Sequence, residues 1–244
     1  MGGPDKPGHD ELRGAPVQQG FRVFIGYDSR QHEAYEVCRF SLARRSSIAL
    51  EIAPLKLPEL RAAGLYWRAD DPLASTEFTY SRFLVPHLAG FSGWALFCDN
   101  DFLWLSDVAG LIALADPSKS VQCVQHAYQP VESLKMDNKP QSVYPRKNWS
   151  SLMLFNCGHP DTQRLTPDTV NREPGSYLHQ MRWAGDAAIG ALPADWNWLE
   201  GSGERFPGEL PRAIHYTRGG PWFEQWRSVR FADLWFAERD AMRA

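Results

Sequence analysis

Asp99 and Asp101, with Asn100 between them, interrupt the apolar run WALFCDNDFLWL at 94–105. A carboxylate in such surroundings needs a metal, a cationic partner or solvent at a loop, because burying it unpaired is costly. Two hard carboxylate oxygens suit Mg²⁺ or Mn²⁺, ions that commonly bridge to phosphates. A second set of groups stands in IHYTRGGPW, 214–222. Neutral imidazole is a good Mn²⁺ ligand beside carboxylates, which makes His215 a candidate. Gly219 lets backbone N–H groups approach a phosphate, and Arg218 offers a forked contact to its oxygens. The plain alternative for this motif is a tight turn with a structural histidine. Arg82, in the mostly apolar FTYSRFLVPHL at 78–88, is either a cation aimed at a diphosphate or an exposed head on a buried stem. Asp186 and Asp195, in WAGDAAIGALPADWNWL at 183–199, read as a helix cap and a turn residue, or as partners of sugar hydroxyls.

The elements that must position these groups follow from periodicity. FRVFIGY, 21–27, is a strand that ends at Asp28. A helix over 30–45 and a strand over 48–55 follow, and strand–helix–strand in this order gives a parallel pair. The pattern predicts a helix over 75–90, disturbed near its end by Pro86. GWALFCD, 93–99, is apolar at nearly every position, as a strand buried on both faces would be. Its end is where ligands bind in open α/β sheets. Further expectations are a helix over 108–115, strands over 120–127 and 148–158, a helix start at 166–173 and a short helix over 185–193. A strand over 213–217 and a helix through 221–242 complete the chain.

Residues 1–20 are rich in Gly, Pro and charge and read as a disordered leader, leaving 21–244 as a single domain. Residues 128–147 read as a polar surface loop bordering a site. A net charge of −3 disfavours broad nucleic-acid binding. The four cysteines lack CxxC spacing and have apolar neighbours, which suggests reduced, buried thiols in a cytoplasmic protein. No run of about 18 apolar residues predicts a transmembrane helix, though the C-terminal helix could touch a membrane or partner. Trp183, Trp196, Trp198 and Trp222 are either core or a stacking platform for a sugar ring.

Taken in order, VFIGYD, YSRFLVPHL, LFCDNDFLW, SSLMLFNC, the GD before LPADWNW, and IHYTRGGPW resemble glycosyltransferase family 8, which includes glycogenin and the lipopolysaccharide galactosyltransferases. The resemblance runs from about residue 21 to 225. It implies an α/β, Rossmann-like GT-A fold, the nucleotide-diphospho-sugar transferase fold, with a mixed, mostly parallel central sheet flanked by helices. It implies metal-dependent hexose transfer, with retention, from a nucleoside-diphosphate sugar, by family habit a UDP sugar. The acceptor would be a hydroxyl of a glycan or lipid-linked saccharide, as in polysaccharide biosynthesis.

On this resemblance Asp99, Asp101 and His215 hold Mn²⁺ or Mg²⁺. Tyr27 and Asp28 meet the nucleoside, and Asn100 turns toward the ribose or solvent. Arg82 lies near the donor's phosphates and sugar, and Ser150 and Ser151 run along that sugar. Asp186 is the acid near the sugar and, with Arg82, a catalytic candidate. Arg218, Gly219 and Trp222 belong to the diphosphate-binding motif. Two positions depart from the family. Gly220 stands where the family has Lys, and Ala187 follows Asp186 where the family has Gln. The departures leave inversion open, and also a non-catalytic nucleotide-sugar-binding or glycan-binding GT-A domain.

Overall fold

A computed structural model describes residues 20–72, 74–127, 145–201 and 210–244. The expected leader, apart from Gly20, and most of the 128–147 loop lie outside the described residues. The first half runs β1 (Phe21–Gly26), α1 (His32–Arg45), β2 (Leu50–Leu55), α2 (Leu57–Ala62), α3 (Val85–Leu88), β3 (Trp94–Cys98), β4 (Phe102–Trp104), α4 (Ala109–Ile112) and β5 (Val121–Cys123). The second runs β6 (Leu152–Asn156), α5 (Pro167–Arg172), α6 (Gly175–His179), β7 (Ile189–Ala191), β8 (Trp198–Leu199), β9 (Ala213–His215) and α7 (Ala232–Arg243).

The main sheet has the order β2-β1-β3-β6-β5-β7. β1 pairs in parallel with β2 and β3, and β5 in parallel with β7, while β6 runs antiparallel to both its neighbours. The sheet is therefore mixed and mostly parallel, as expected. Its strands are apolar on both faces. Phe24, Phe97 and Phe155 point into one core with Leu84, Val170 and Leu178. Val23, Ile25, Leu96 and Leu154 point into the other with Tyr35, Cys38 and Leu42 of α1. Helices on both sides make this a three-layer α/β arrangement. Leaving β1, the chain goes to β2 on one side, and β3 lies on the other. That is the switch point at which open α/β sheets place ligands.

A second sheet, β4-β9-β8, was not anticipated. The run 94–105 is two strands in two sheets, joined by the Asp-Asn-Asp turn. Under the small sheet, Leu103, Ile214 and Tyr216 pack with Val37 of α1 and Trp235 of α7. The apolar face of α7 is thereby docked, and Glu238 ties it to Arg45 of α1 at 2.7 Å.

Three expected helices are corrected. Over 75–90, turns and a 3-10 segment, Ser81–Leu84, precede the four-residue α3. Thr76 and Thr79 bond each other and the Thr76 backbone, competing with helix formation, and Pro86 is tolerated only in the first turn of α3. Over 185–193, a 3-10 turn leads into β7 on the sheet edge. Gly190 permits this pairing, since a Cβ there would stand 2.6 Å from the Gln122 side chain. Over 221–242, a 3-10 turn at 224–226 is followed by an α-helix only from residue 232. The preceding residues are held in turns by Trp222, which packs against Tyr216 and Trp235. Trp183, Trp196 and Trp198 are buried core residues. The four cysteines are buried and free. Among the described residues, no helix is long and apolar enough to cross a membrane.

Candidate functional site

Asp99 is positioned by the main sheet. The β3–β6 ladder pairs Cys98 with Leu152, and one residue further the Asp99 N–H donates to the Ser151 carbonyl at 2.9 Å. Asp101 is positioned by the small sheet. Antiparallel register sets Phe102 opposite His215, and the Tyr216 N–H donates to the Asp101 carbonyl at 3.0 Å. The intervening turn thus carries one acid on each sheet. One ligand atom each from Asp99, Asp101 and His215 lie within 4.8 Å of one another.

The two acids differ in their partners. Arg82 donates to Asp99 Oδ1 at 2.7 Å and to the Ser150 carbonyl at 2.9 Å. Its guanidinium lies 5.1 Å from the ring centres of both Phe78 and Phe97. Burial pushes the Asp99 carboxyl up to about 7, against the pull of Arg82 and with a further upward push from Asp101. Asp101 Oδ1 is buried and accepts no hydrogen bond, although His215 Nε2 is only 3.3 Å away. The His215 ring stacks on Phe102, and its Nδ1 is 2.9 Å from Asn197 Oδ1. The orphaned carboxylate oxygen and the imidazole nitrogen facing it fit a divalent cation of the Mn²⁺ or Mg²⁺ class.

Ser150 and Ser151 connect to this cluster through Arg82 and Asn197, while Tyr27 and Asp28 follow the neighbouring strand β1. Ser150 Oγ is 2.9 Å from His179 Nδ1, and Ser151 Oγ lies between Asn148 and Asn197. Asn100 is 1% exposed, and its Nδ2 has no hydrogen-bond partner. Tyr27 packs edge-on against Tyr35, with its hydroxyl 3.2 Å from His32 Nδ1. Asp28 is fully buried. Its carboxylate accepts from the Arg30 backbone and guanidinium and from the Glu77 N–H, so it ties β1 to the 74–80 turns.

The last motif is built differently from its resemblance. Arg218 pairs with buried Glu200 at 3.4 Å and lies over the Trp226 ring. It crosses Gly201, whose φ is +71° and where a Cβ would meet the guanidinium at 1.9 Å. Gly219 has φ +124°, a backbone that glycine adopts readily. At Gly220 a Cβ would meet the Trp222 indole at 1.9 Å. The indole therefore fills the space that a lysine stem would need.

Asp186 is not brought into the cluster's contacts. It is largely exposed and pairs with Arg146 at 2.5 Å. Asp195 pairs with Arg212 at 2.9 Å.

Sequence reasoning missed Asn197, Glu200, His179 and His126. Asn197 and Glu200 carried a faint signal as polar residues bracketing the apolar pair Trp198–Leu199. His126 is buried with its Nε2 unpartnered, and burial, with a further downward push from His215, takes its imidazole down to about 3, so it is neutral.

No family model matches the chain. It is 50% identical over 230 residues to Protein CDI of Arabidopsis thaliana, covering 93% of this chain and 89% of that protein. Solved glycosyltransferase structures resemble it in fold. The glycosyltransferase GlyE of Streptococcus pneumoniae superposes with a TM-score of 0.61 at 16% identity, over 91% of this chain and 60% of GlyE. The bifunctional glycosyltransferase WbbM gives 0.62 at 17%, over 93% of this chain and 50% of WbbM. The galactosyltransferase LgtC, solved with donor and acceptor sugar analogues, gives 0.58 at 11%, over 92% and 97%. The chain thus spans half to three-fifths of GlyE and WbbM and nearly all of LgtC. The shared fold is GT-A.

Proposed function

The chain belongs to the family of Protein CDI, and from its GT-A fold and its acid–imidazole cluster we propose that it is a metal-dependent glycosyltransferase. It would move a hexose, with retention, from a nucleoside-diphosphate sugar, a UDP sugar first among them, to a hydroxyl of a glycan or lipid-linked acceptor. One observation carries the reading. On a GT-A fold, Asp99, Asp101 and His215 converge from two sheets, with an orphaned buried carboxylate oxygen facing an imidazole nitrogen.

Asp99, Asp101 and His215 would hold Mn²⁺ or Mg²⁺, which when bound supplies positive charge for a departing nucleoside diphosphate. Arg82 adds a buried, always-charged guanidinium beside Asp99. Arg218, braced by Glu200 and Gly201, is the cation of the last motif in place of the family's lysine. Gly219 offers close backbone approach to a phosphate, and Trp222 shapes the motif behind it. Tyr27, Asp28 and Asn100 border the nucleoside side, with Asp28 acting through the turn that it holds. Ser150 and Ser151 stand on the sugar side. Asp186, exposed and paired with Arg146, would be the acid near the sugar.

A thermal-shift panel of nucleoside diphosphates and nucleotide sugars, with and without Mn²⁺, tests this reading, because a ligand selective for the folded state raises its stability. A Mn²⁺-dependent shift by one nucleotide is expected, together with slow hydrolysis of its sugar conjugate. If no nucleotide moves the melting point, the donor assignment falls. A second reading, a non-catalytic GT-A domain that binds a nucleotide sugar or glycan, draws on Trp222 filling the lysine space and on Ala187 replacing the family's glutamine. Binding without any hydrolysis or transfer would favour it.

A further inference from the structure

The His215 side chain has two nitrogens, and only a lone pair can bind a metal. Which nitrogen keeps the proton is decided by a chain of three hydrogen bonds. Ser151 Oγ donates to the Asn148 carbonyl at 2.7 Å. A hydroxyl has one proton, so toward Asn197 this oxygen can only accept. The Asn197 atom 2.9 Å from it is therefore the amide nitrogen Nδ2. That fixes the amide, and its carbonyl oxygen Oδ1 faces His215 Nδ1 at 2.9 Å. An amide oxygen is only an acceptor, so Nδ1 carries the hydrogen. In the neutral ring Nε2, 3.3 Å from Asp101 Oδ1, is then left with its lone pair beside the two carboxylates.

The chain is sheltered and rigidly mounted. Asn197 is fully buried, Ser151 is 3% exposed and His215 is 2% exposed. Asn148 has φ +65°, and its carbonyl opens the 3-10 turn that carries Ser151. Asn197 immediately precedes β8, which pairs in parallel with β9 and so sets the amide beside His215. The Phe102 stack fixes the plane of the imidazole, with ring centres 4.6 Å apart, and Asn197 fixes its rotation within that plane.

We propose that Asn197, oriented by Ser151, is a positioning residue that holds His215 in the Nδ1–H tautomer and thereby makes Nε2 a metal ligand. The inference rests on the metal reading of Asp99, Asp101 and His215. Metal-ligating histidines generally donate their second N–H to such a partner, whose loss lowers affinity about 10–100-fold.

Two measurements test it without turnover. The first is Mn²⁺ affinity from the paramagnetic resonance of free Mn²⁺, on wild type, Asn197→Ala, Asn197→Asp and Ser151→Ala. Asn197→Ala should lose affinity about 10–100-fold. Asn197→Asp keeps an acceptor toward Nδ1 and should stay within a few-fold of wild type. Ser151→Ala frees the amide to flip and should fall between them. The second is the nitrogen spectrum of labelled His215 in metal-free protein above about pH 8.5, two units over the ordinary imidazole pKa. The signal is assigned by its loss in His215→Asn. Wild type and Asn197→Asp should show a protonated Nδ1 and a bare Nε2, and Asn197→Ala a mixture of tautomers. Melting temperatures separate loss of folding from loss of affinity. Wild-type His215 with its proton on Nε2, or Asn197→Ala binding Mn²⁺ as wild type does, would overturn the proposal. If wild type binds no Mn²⁺, the metal reading fails, and the tautomer spectrum still judges the hydrogen-bond chain.

Discussion

Asp99 and Asp101 are two residues apart in sequence, yet each is governed by a different sheet. Asp99 ends a strand of the main sheet and finds a guanidinium at 2.7 Å. Asp101 begins a strand of the small sheet and finds an imidazole nitrogen at 3.3 Å, with no proton shared in a hydrogen bond. The first acid is given a cationic partner by the fold, which offsets part of the cost of burying it. The second keeps a buried oxygen that accepts no hydrogen bond. The difference separates an acid that the fold pairs with a cation from one whose buried oxygen it leaves without a hydrogen bond, and mutation can test each half.

The largest effect is expected at Asp101. Asp101→Ala should abolish Mn²⁺ binding and lower transfer by at least about 10³-fold, roughly 4 kcal/mol of barrier. Its melting temperature without metal should match or exceed wild type, because an uncompensated carboxylate has been removed. A clear loss of metal-free stability would erase the contrast between the acids.

Arg82→Ala should show the opposite profile. Removing the partner of a buried carboxylate costs about 3–5 kcal/mol when the acid is charged. The penalty depends on pH. With its folded pKa raised from 3.8 to about 7, Asp99 holds its proton more tightly in the folded state, so wild-type stability declines as pH rises across that window. Without Arg82 the folded pKa rises further, and the decline continues to higher pH. Urea unfolding should therefore show a small difference near about pH 6 and the full deficit near about pH 9. A deficit independent of pH would mean that Arg82 acts by packing on Phe78 and Phe97 rather than by charge.

Gly220→Lys should have a smaller effect. The new stem meets the Trp222 ring, so restoring the family's lysine should cost about 1–3 kcal/mol of stability and add no nucleotide affinity. Tighter nucleotide binding in that variant would show that the indole yields and that Arg218 is no replacement.

The main sheet was legible because its signals are local. The apolar runs at 23–26 and 94–98 specify strands buried on both faces, and the helical spacing of 32–45 supplies the layer above them. The mixed, mostly parallel topology followed from their order. Asp99, Asp101 and His215 were legible through residue chemistry and resemblance. The segment at 75–90 misled because its apolar spacing is helical while its threonines and Pro86 favour turns. The short helix expected at 185–193 failed because glycine at 190 admits a close strand pairing that no periodicity announces.

By itself, the sequence determined which groups were available: two hard carboxylates, an imidazole, two guanidiniums and apolar strands stiff enough to hold them. Tertiary structure alone decided how each was used. Pairing of β4 with β9 brings together residues more than a hundred positions apart, and register along that ladder sets His215 against Asp101. The same assembly gives Arg82 to one acid and not the other, and places Asn197 where it can dictate the imidazole's proton. These outcomes depend on contacts distant in the chain, whose energies come from burial and hydrogen-bond direction, and no local pattern of residue types encodes either.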